Sequence, residues 1–290
     1  MRQQKSFQND VISLYLVATP IGNLDELTPR AIEILKSVAV IAAEDTRVTQ
    51  KLLSRFDIKT KVIAHHAHNE AQSTQGILKL LNSAQSVALV SDAGYPLMSD
   101  PGSILVQTVI QAGYNVVPVS GSSAFLNALV ASGLSVQPHV FYGFLPQQDK
   151  AFRQELNQLK AYPMTLVFYE APHRIKKTLE KMLAILGNRR AVLARELTKV
   201  YEEFMRGTLS ELLEAVQQEP KGELVLVVEG NLGDREAAID LSEVHRRIES
   251  YIQQGSSASE AIKQVAKDMG IQKNIIYNAY HQYPTTQQTS

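Results

Sequence analysis

The sequence contains no cysteine. Disulfides, thiolate metal sites, iron–sulfur clusters and a cysteine nucleophile are therefore excluded together. Chemistry must come from carboxylates, hydroxyls, histidines, backbone dipoles or a bound cosubstrate. Net charge is also missing, with 29 Lys and Arg against 29 Asp and Glu. The two signs balance again within residues 1–125, 126–239 and 240–290 taken separately. No global field draws the chain toward nucleic acid or an anionic membrane, so any basic surface must be local. Apolar runs stay well short of the roughly 20 residues that cross a bilayer. Met1 to Asp10 lead into no signal-like apolar core, so a cytoplasmic protein is expected. Four familiar signatures are absent: the GxxxxGK[ST] phosphate loop, GxGxxG, the GxSxG elbow and the HExxH metal helix.

What is present suits a globular protein: 290 residues, 44% hydrophobic and 20% charged, a size that predicts about two domains with room for a cleft. Ser13 to Thr19 form an apolar run broken by Pro20 and Gly22, which predicts a strand and a tight loop. Thr28-Pro29 then sets a capping hydroxyl before a proline at the first helical position, and the helix should end near Ser37. Further strands are predicted at Val38 to Ala43, Val62 to Ala64, Ser86 to Ser91 and Asn115 to Val119. A helix containing Leu52 and Leu53, then helices over Ile77 to Leu81 and Ile104 to Ala112, lie between them. Continuously apolar strands alternating with helices imply a parallel sheet covered on both faces. Ligands bind such sheets at the carboxyl ends of the strands, where PIGN, EDTR, SDAGYPLMSDPG and SGSSA should gather.

A second α/β unit is predicted from about Phe125 to Leu232, with strands at Val140 to Gly143, Thr165 to Tyr169, Ala191 to Arg195 and Glu223 to Glu229. Helices over His173 to Leu186 and Ser210 to Gln217 intervene. Beyond Asp240 the pattern is wholly helical: Leu241 to Gln253, Ser259 to Met269 and Asn274 to Tyr283. The resulting division is 1–124, 125–236 and a helical appendage over 237–290. Residues 171–194 carry Arg174, Lys176, Lys177, Lys181, Arg189 and Arg190 against the single acid Glu180, which reads as a local basic patch or a solvated helix face. His65, His66 and His68 cluster without the further ligands of a metal site, and none is expected.

Seven segments occur in order: TPIGNLDELTPRA, EDTRVTQKLL, HNE, SDAGYPLMSDPG, YEAPHR, RELTKVYEEFMRGTL and KGELVLVVEG. Together they resemble the family of ribosomal RNA small-subunit methyltransferase I, within the tetrapyrrole-methylase-like (class III) methyltransferases. The resemblance covers Leu14 to Leu232, and the closing helices around VAKDMGIQKNIIY look like that family's C-terminal region. It implies two α/β domains with S-adenosylmethionine (SAM) in the cleft between them, no metal, and a homodimer. The implied reaction is methylation of a cytidine ribose 2′-hydroxyl in the decoding region of the small-subunit (16S) RNA, within the 30S particle.

Matched by position, Pro20, Gly22, Asp92, Ala93, Gly94, Tyr95, Ser123 and Ala124 are the expected cofactor residues. A contribution from the second domain is expected near Tyr169 to Ala171 or at Arg195-Glu196. Two segments depart from the family pattern: Ser120 stands where a proline is expected, and Gln147-Gln148-Asp149 replaces a basic pair. A ribose hydroxyl is a poor nucleophile at neutral pH, so a general base is needed. The candidates are Asp45, Glu70 and Asp100, with His68 also within the matched segments. Each has a structural alternative: Asp45 a salt bridge with Arg47, Glu70 a helix cap, Asp100 a turn before Pro101. Arg47, His68, Asn69 and Arg174 are the expected RNA contacts, guanidinium suiting phosphate. A tetrapyrrole methylase and a non-catalytic ribosome-assembly factor are the competing readings.

Overall fold

A computed structural model describes residues 3–6, 11–216, 220–233, 241–271 and 273–282. Gln217 and Tyr283, expected as helix ends, most of Met1 to Asp10, and the expected boundary at 236/237 lie outside the described residues. The chain divides into two compact units, Met1–Gly230 and Asn231–Ser290.

The larger unit contains two five-stranded sheets. The first is built from β1 (Ser13–Val17), β2 (Val40–Ala43), β3 (Lys61–Ala64), β4 (Val87–Val90) and β5 (Asn115–Val119) in the order β3-β2-β4-β1-β5. Every pairing is parallel. Of the three interior strands, β2 and β4 are buried at every position and β1 at three of its five, as a sheet covered on both faces requires. Helices α1 (Pro29–Ser37), α2 (Thr46–Arg55), α3 (Glu70–Asn82) and α4 (Ser103–Gln111) connect the strands. The Thr28 hydroxyl accepts the Ala31 amide at 3.1 Å with Pro29 in the first turn, so α1 starts where the local chemistry says it should. Its far end is Ser37.

The second sheet comprises β6 (His139–Phe144), β7 (Thr165–Glu170), β8 (Arg190–Arg195), β9 (Glu203–Thr208) and β10 (Leu224–Val228), ordered β6-β7-β10-β8-β9. Only β6 and β7 pair in parallel; β10 is antiparallel to both neighbours and β8 antiparallel to β9. Central β10 is buried throughout. One face carries α6 (Asp149–Leu159), α7 (Ile175–Leu186) and α8 (Leu209–Ala215) over a core that includes Phe168, Leu179 and Leu226. On the opposite face α5 (Ala124–Ala131) packs Ala128 and Leu129 against Val167, Val192 and Val225, and Ile21 from the loop after β1 joins the same cluster. That cluster ties the two sheets together.

Among its described residues the smaller unit has three helices, α9 (Leu241–Gln253), α10 (Ala258–Met269) and α11 (Lys273–Gln282), around Val244, Ile248, Val265 and Ile276. A capping box of Ser257 with Glu260 opens α10, and Gly270 in the left-handed region closes it. No helix among the described residues is long and apolar enough to cross a membrane.

Candidate functional site

The four loops at the carboxyl ends of the first sheet are joined by hydrogen bonds. Thr19 and Gly94 exchange backbone bonds of 2.9 and 3.0 Å, an isolated antiparallel bridge between the loops after β1 and β4. The Asp92 carboxylate accepts the Asp45 amide at 3.2 Å, which adds the loop after β2. The Tyr95 hydroxyl accepts the Gly121 amide at 3.1 Å, which adds the loop after β5. Gly94 sits at φ 79°, a conformation that its missing Cβ permits.

These loops and the second sheet enclose a cavity of about 510 Å³, a size suited to a small-molecule cosubstrate. Asp92 to Tyr95, Met98 to Asp100, Ser123 and Ala124 line one side, with Ile21 and Glu44. The second sheet supplies Phe144, Tyr169 to Pro172 and Gly222 to Val225. Helix α5 begins at the wall, and no side chain caps it. The wall thus combines apolar side chains, five acidic residues (Glu44, Asp92, Asp100, Glu170 and Glu223) and a helix N-terminus.

Glu44, Asp92 and Asp100 all border this space. Burial, then the charges of Glu44 and Asp92, push the Asp100 carboxyl up to about 6. Such a carboxyl holds or releases a proton near neutrality. Burial also raises the Tyr169 phenol, an effect opposed by a hydrogen bond from the Phe125 backbone amide and reinforced by Asp100. Tyr169 stands edge-on to Phe141 at 5.0 Å and tilted to Phe144 at 5.5 Å. A bulge between Phe141 and Gly143, with Gly143 at φ 80°, bends β6 just before Phe144.

Of the expected cofactor residues, Asp92, Ala93, Gly94, Tyr95, Ser123 and Ala124 line the cavity. Pro20 and Gly22 flank the lining residue Ile21 without joining it. Gly22 has a packing reason of its own: a Cβ there would come within 2.5 Å of the Lys199 side chain and 3.0 Å of the Leu197 carbonyl oxygen.

The candidate bases separate clearly. Asp100 lines the cavity. Asp45 caps α2 through the Arg47 amide and forms a two-point ion pair with the Arg47 guanidinium, at 3.1 and 2.7 Å. That partner holds its carboxyl far below the usual range, where it is a weak base. Glu70 accepts the amides of Gly102 and Ile104 at 2.9 and 3.1 Å, capping α4 from another helix.

Among the expected RNA contacts, the Arg47 side chain is 85% exposed and His68 is exposed. Asn69 is committed to the turn after β3, accepting the His66 amide and donating to the Ala64 carbonyl. Arg174, with a side chain 20% exposed, is turned inward, where it pairs with buried Glu170 at 3.2 Å and donates to the Leu145 carbonyl at 3.0 Å. Its neighbours are similarly engaged: Lys181 with Asp149, Arg190 with Glu229, and Arg189 with the Leu186 and Lys160 carbonyls. The charge density of residues 171–194 is therefore largely internal pairing. Among the described residues no three His, Asp or Glu are grouped to hold a metal ion.

Sequence reasoning missed Glu44, Met98, Phe144 and Gly222 to Val225. Glu44 was visible as the first residue of EDTR, one position before the carboxylate singled out. Gly222 to Val225 come from the start of an antiparallel strand, to which the parallel-sheet rule does not apply. Glu196 acts one step behind them: its carboxylate accepts the Glu223 amide at 2.9 Å and pairs with Lys199 at 2.8 Å.

Residues 13–213 match the family model described as Tetrapyrrole (Corrin/Porphyrin) Methylases. The chain is 49% identical to ribosomal RNA small subunit methyltransferase I of Halalkalibacterium halodurans, over 97% of this chain and 100% of that protein. Identity is 46% to the same-named protein of Bacillus subtilis strain 168, over 97% and 99% of the two chains. To that of Escherichia coli O157:H7 it is 43%, over 96% and 97%. Among solved structures, a diphthine synthase aligns with a TM-score of 0.57 at 15% identity, covering 76% of this chain and 90% of that one. A cobalt precorrin-4 methyltransferase aligns at 0.55 and 19% identity, covering 74% and 94%. At these identities the structural likeness is one of fold.

Proposed function

Since the chain belongs to the ribosomal RNA small subunit methyltransferase I family of the tetrapyrrole methylases, we propose that it methylates a ribose 2′-hydroxyl of a cytidine in the decoding region of 16S RNA, with SAM as donor. The observation that carries the reading is the placement of Asp100, a carboxyl raised to about 6, in the wall of a cosubstrate-sized cavity.

The cavity fits the donor chemically. Ile21, Met98, Leu224 and Val225 offer apolar contact to a purine, while Asp92 and Glu44 offer acceptors to ribose hydroxyls and an ammonium. Asp92 to Tyr95, Ser123, Ala124 and the Tyr169 to Pro172 segment would hold it. When bound there, SAM would supply an electrophilic sulfonium methyl, the S–CH3 bonding pair staying on sulfur. The protein's part is alignment, exclusion of water and removal of one proton. Asp100 Oδ accepts the ribose hydroxyl proton as the new C–O bond forms, and its raised affinity for that proton lowers the cost of the transfer. Met98 and Phe144, 38% and 52% exposed, give the cavity an apolar rim.

Arg47 and His68, exposed beyond the ends of the adjacent strands β2 and β3, contact RNA phosphates. In this reading residues 1–124 and 125–236 form the two α/β domains, 237–290 the appendage, and the protein acts as a cytoplasmic homodimer on the 30S subunit. The test is transfer of labelled methyl from SAM to small subunits lacking the modification, with mapping of the product. One alkali-resistant cytidine in the decoding region is expected. Label on a base, or no transfer despite SAM binding, would overturn the assignment.

A further inference from the structure

The loop that carries Asp100 is conformationally costly. Leu97 at φ 72° and Ser99 at φ 80° both occupy the left-handed region without being glycine, and Gly102 follows at φ 130°. Conformations of this kind persist only where the surroundings over-determine them. The loop's own closures are weak: Met98 to Tyr95 at 3.4 Å, and a tight Ser99 to Leu97 contact at 3.1 Å. Glu70 supplies a stronger restraint. From the first turn of α3, 32 residues away, one carboxylate oxygen accepts both the Gly102 and the Ile104 amides, at the two ends of the turn that starts α4. An anionic acceptor at a helix N-terminus meets both the free amides and the helix dipole.

Glu70 is itself held. Asn69 closes the turn before it, and the Ser73 hydroxyl donates to the Glu70 carbonyl at 3.2 Å while standing 2.6 Å from the buried His65 ring. The HNE segment is thus a bracket from the end of β3 to the loop after β4. We propose that Glu70 is a positioning residue that holds the strained Leu97 to Gly102 loop, and with it Asp100, against the cavity. It acts through two backbone amides and does not touch the reacting atoms. The inference rests on the reading of Asp100 as base for its effect on catalysis, whereas its effect on the loop is independent of that reading.

The experiment compares Glu70→Ala and Glu70→Gln in the full-length protein, measuring amide exchange at Gly102 and Ile104 by NMR together with methyl transfer. In Glu70→Ala, exchange at these two amides should accelerate on the order of tenfold to a hundredfold. kcat should fall on a similar scale, while KM for RNA moves little. Glu70→Gln keeps an oxygen acceptor and should restore both to within severalfold of wild type. If Glu70→Ala does not fold, Glu70→Gln still decides the matter through its protected amides. Unchanged exchange in Glu70→Ala, or a Glu70→Gln protein as inactive as Glu70→Ala but with protected amides, would overturn the proposal. The second result would put the Glu70 charge in the chemistry itself. An active Asp100→Asn protein would refute only the base assignment and leave the exchange result to judge Glu70.

Discussion

Replacing Asp100 by Asn should stabilise the protein at neutral pH while removing its activity. The Asp100 carboxyl rises from 3.8 to about 6 on folding, through burial and the nearby Glu44 and Asp92 charges. A raised folded-state value means that the native state binds the proton more tightly than the unfolded chain. Its contribution to stability is complete below about pH 4 and is lost as pH climbs through about 6. Above that range the ionised group costs on the order of 1–3 kcal/mol, the upper figure being about two units at 1.36 kcal/mol each and the lower allowing for solvent screening of a half-buried carboxyl. Asparagine carries no charge at any pH, so the mutant should match wild type near pH 4, and the gap should open until about pH 6 and then stay constant. Urea unfolding followed by far-UV circular dichroism between pH 4 and 8 reads this directly. Methyl transfer by the same protein should fall by about 10²–10⁴. A stability difference that does not vary with pH would refute the electrostatic argument, and a mutant less stable at pH 8 would reverse its sign.

Three further substitutions distinguish surface from interior roles. Arg47→Ala should weaken RNA binding and reduce the slope of log K against log salt by about 1, with unfolding midpoints unchanged, because its ion pair with Asp45 is mostly exposed. Arg174→Ala should do the opposite. Its partner Glu170 has a side chain only 1% exposed and would keep the Ala171 amide and the Thr178 hydroxyl but lose its cation, which should cost about 2–3 kcal/mol in urea unfolding while leaving the salt slope alone. Gly222→Ala should destabilise by on the order of 1–3 kcal/mol and weaken SAM binding measured calorimetrically. Its φ is +96°, and a Cβ would lie 2.3 Å from the Glu196 carboxylate that holds the Glu223 amide.

The parts of the fold that announced themselves were those where one residue type has one use. Thr28-Pro29 can do little but start a helix, and the unbroken apolar runs of β2 and β4 fit only a sheet buried on both faces. Strand β9 gave no such signal. It is an edge strand of sequence EFMRGT, with no fully buried position, and pairing to β8 makes it a strand where its own composition does not. The same asymmetry governs the site. Loops after parallel strands converge by topology, so Asp92 to Tyr95 and Ser123-Ala124 could be placed from sequence. Which of the three candidate bases faces the cavity depends on its partners: Arg47, two residues on, occupies Asp45, the far-off Gly102 and Ile104 amides occupy Glu70, and of the three Asp100 alone lines the wall. Arg174 shows the same dependence, since an inward-turned cation and a phosphate ligand look alike in sequence until the facing acid, here Glu170, is known.

The position of β1 in its sheet also sets an order of events during synthesis. This strand is made first, yet its neighbours are β4 and β5, with Leu14 opposite Val87 and Ser13 opposite Asn115. At translation speeds of about 5–20 residues per second, the apolar segment SLYLV waits roughly 5–20 s before its second partner is made. Both of its edges are unsatisfied until β4 is made and one stays open until β5 follows, while β2 and β3 can pair with each other but not with it. Nascent chains halted before Asn115 should therefore be the form that molecular chaperones hold most firmly, and release should follow once the Asn115–Val119 strand clears the exit tunnel.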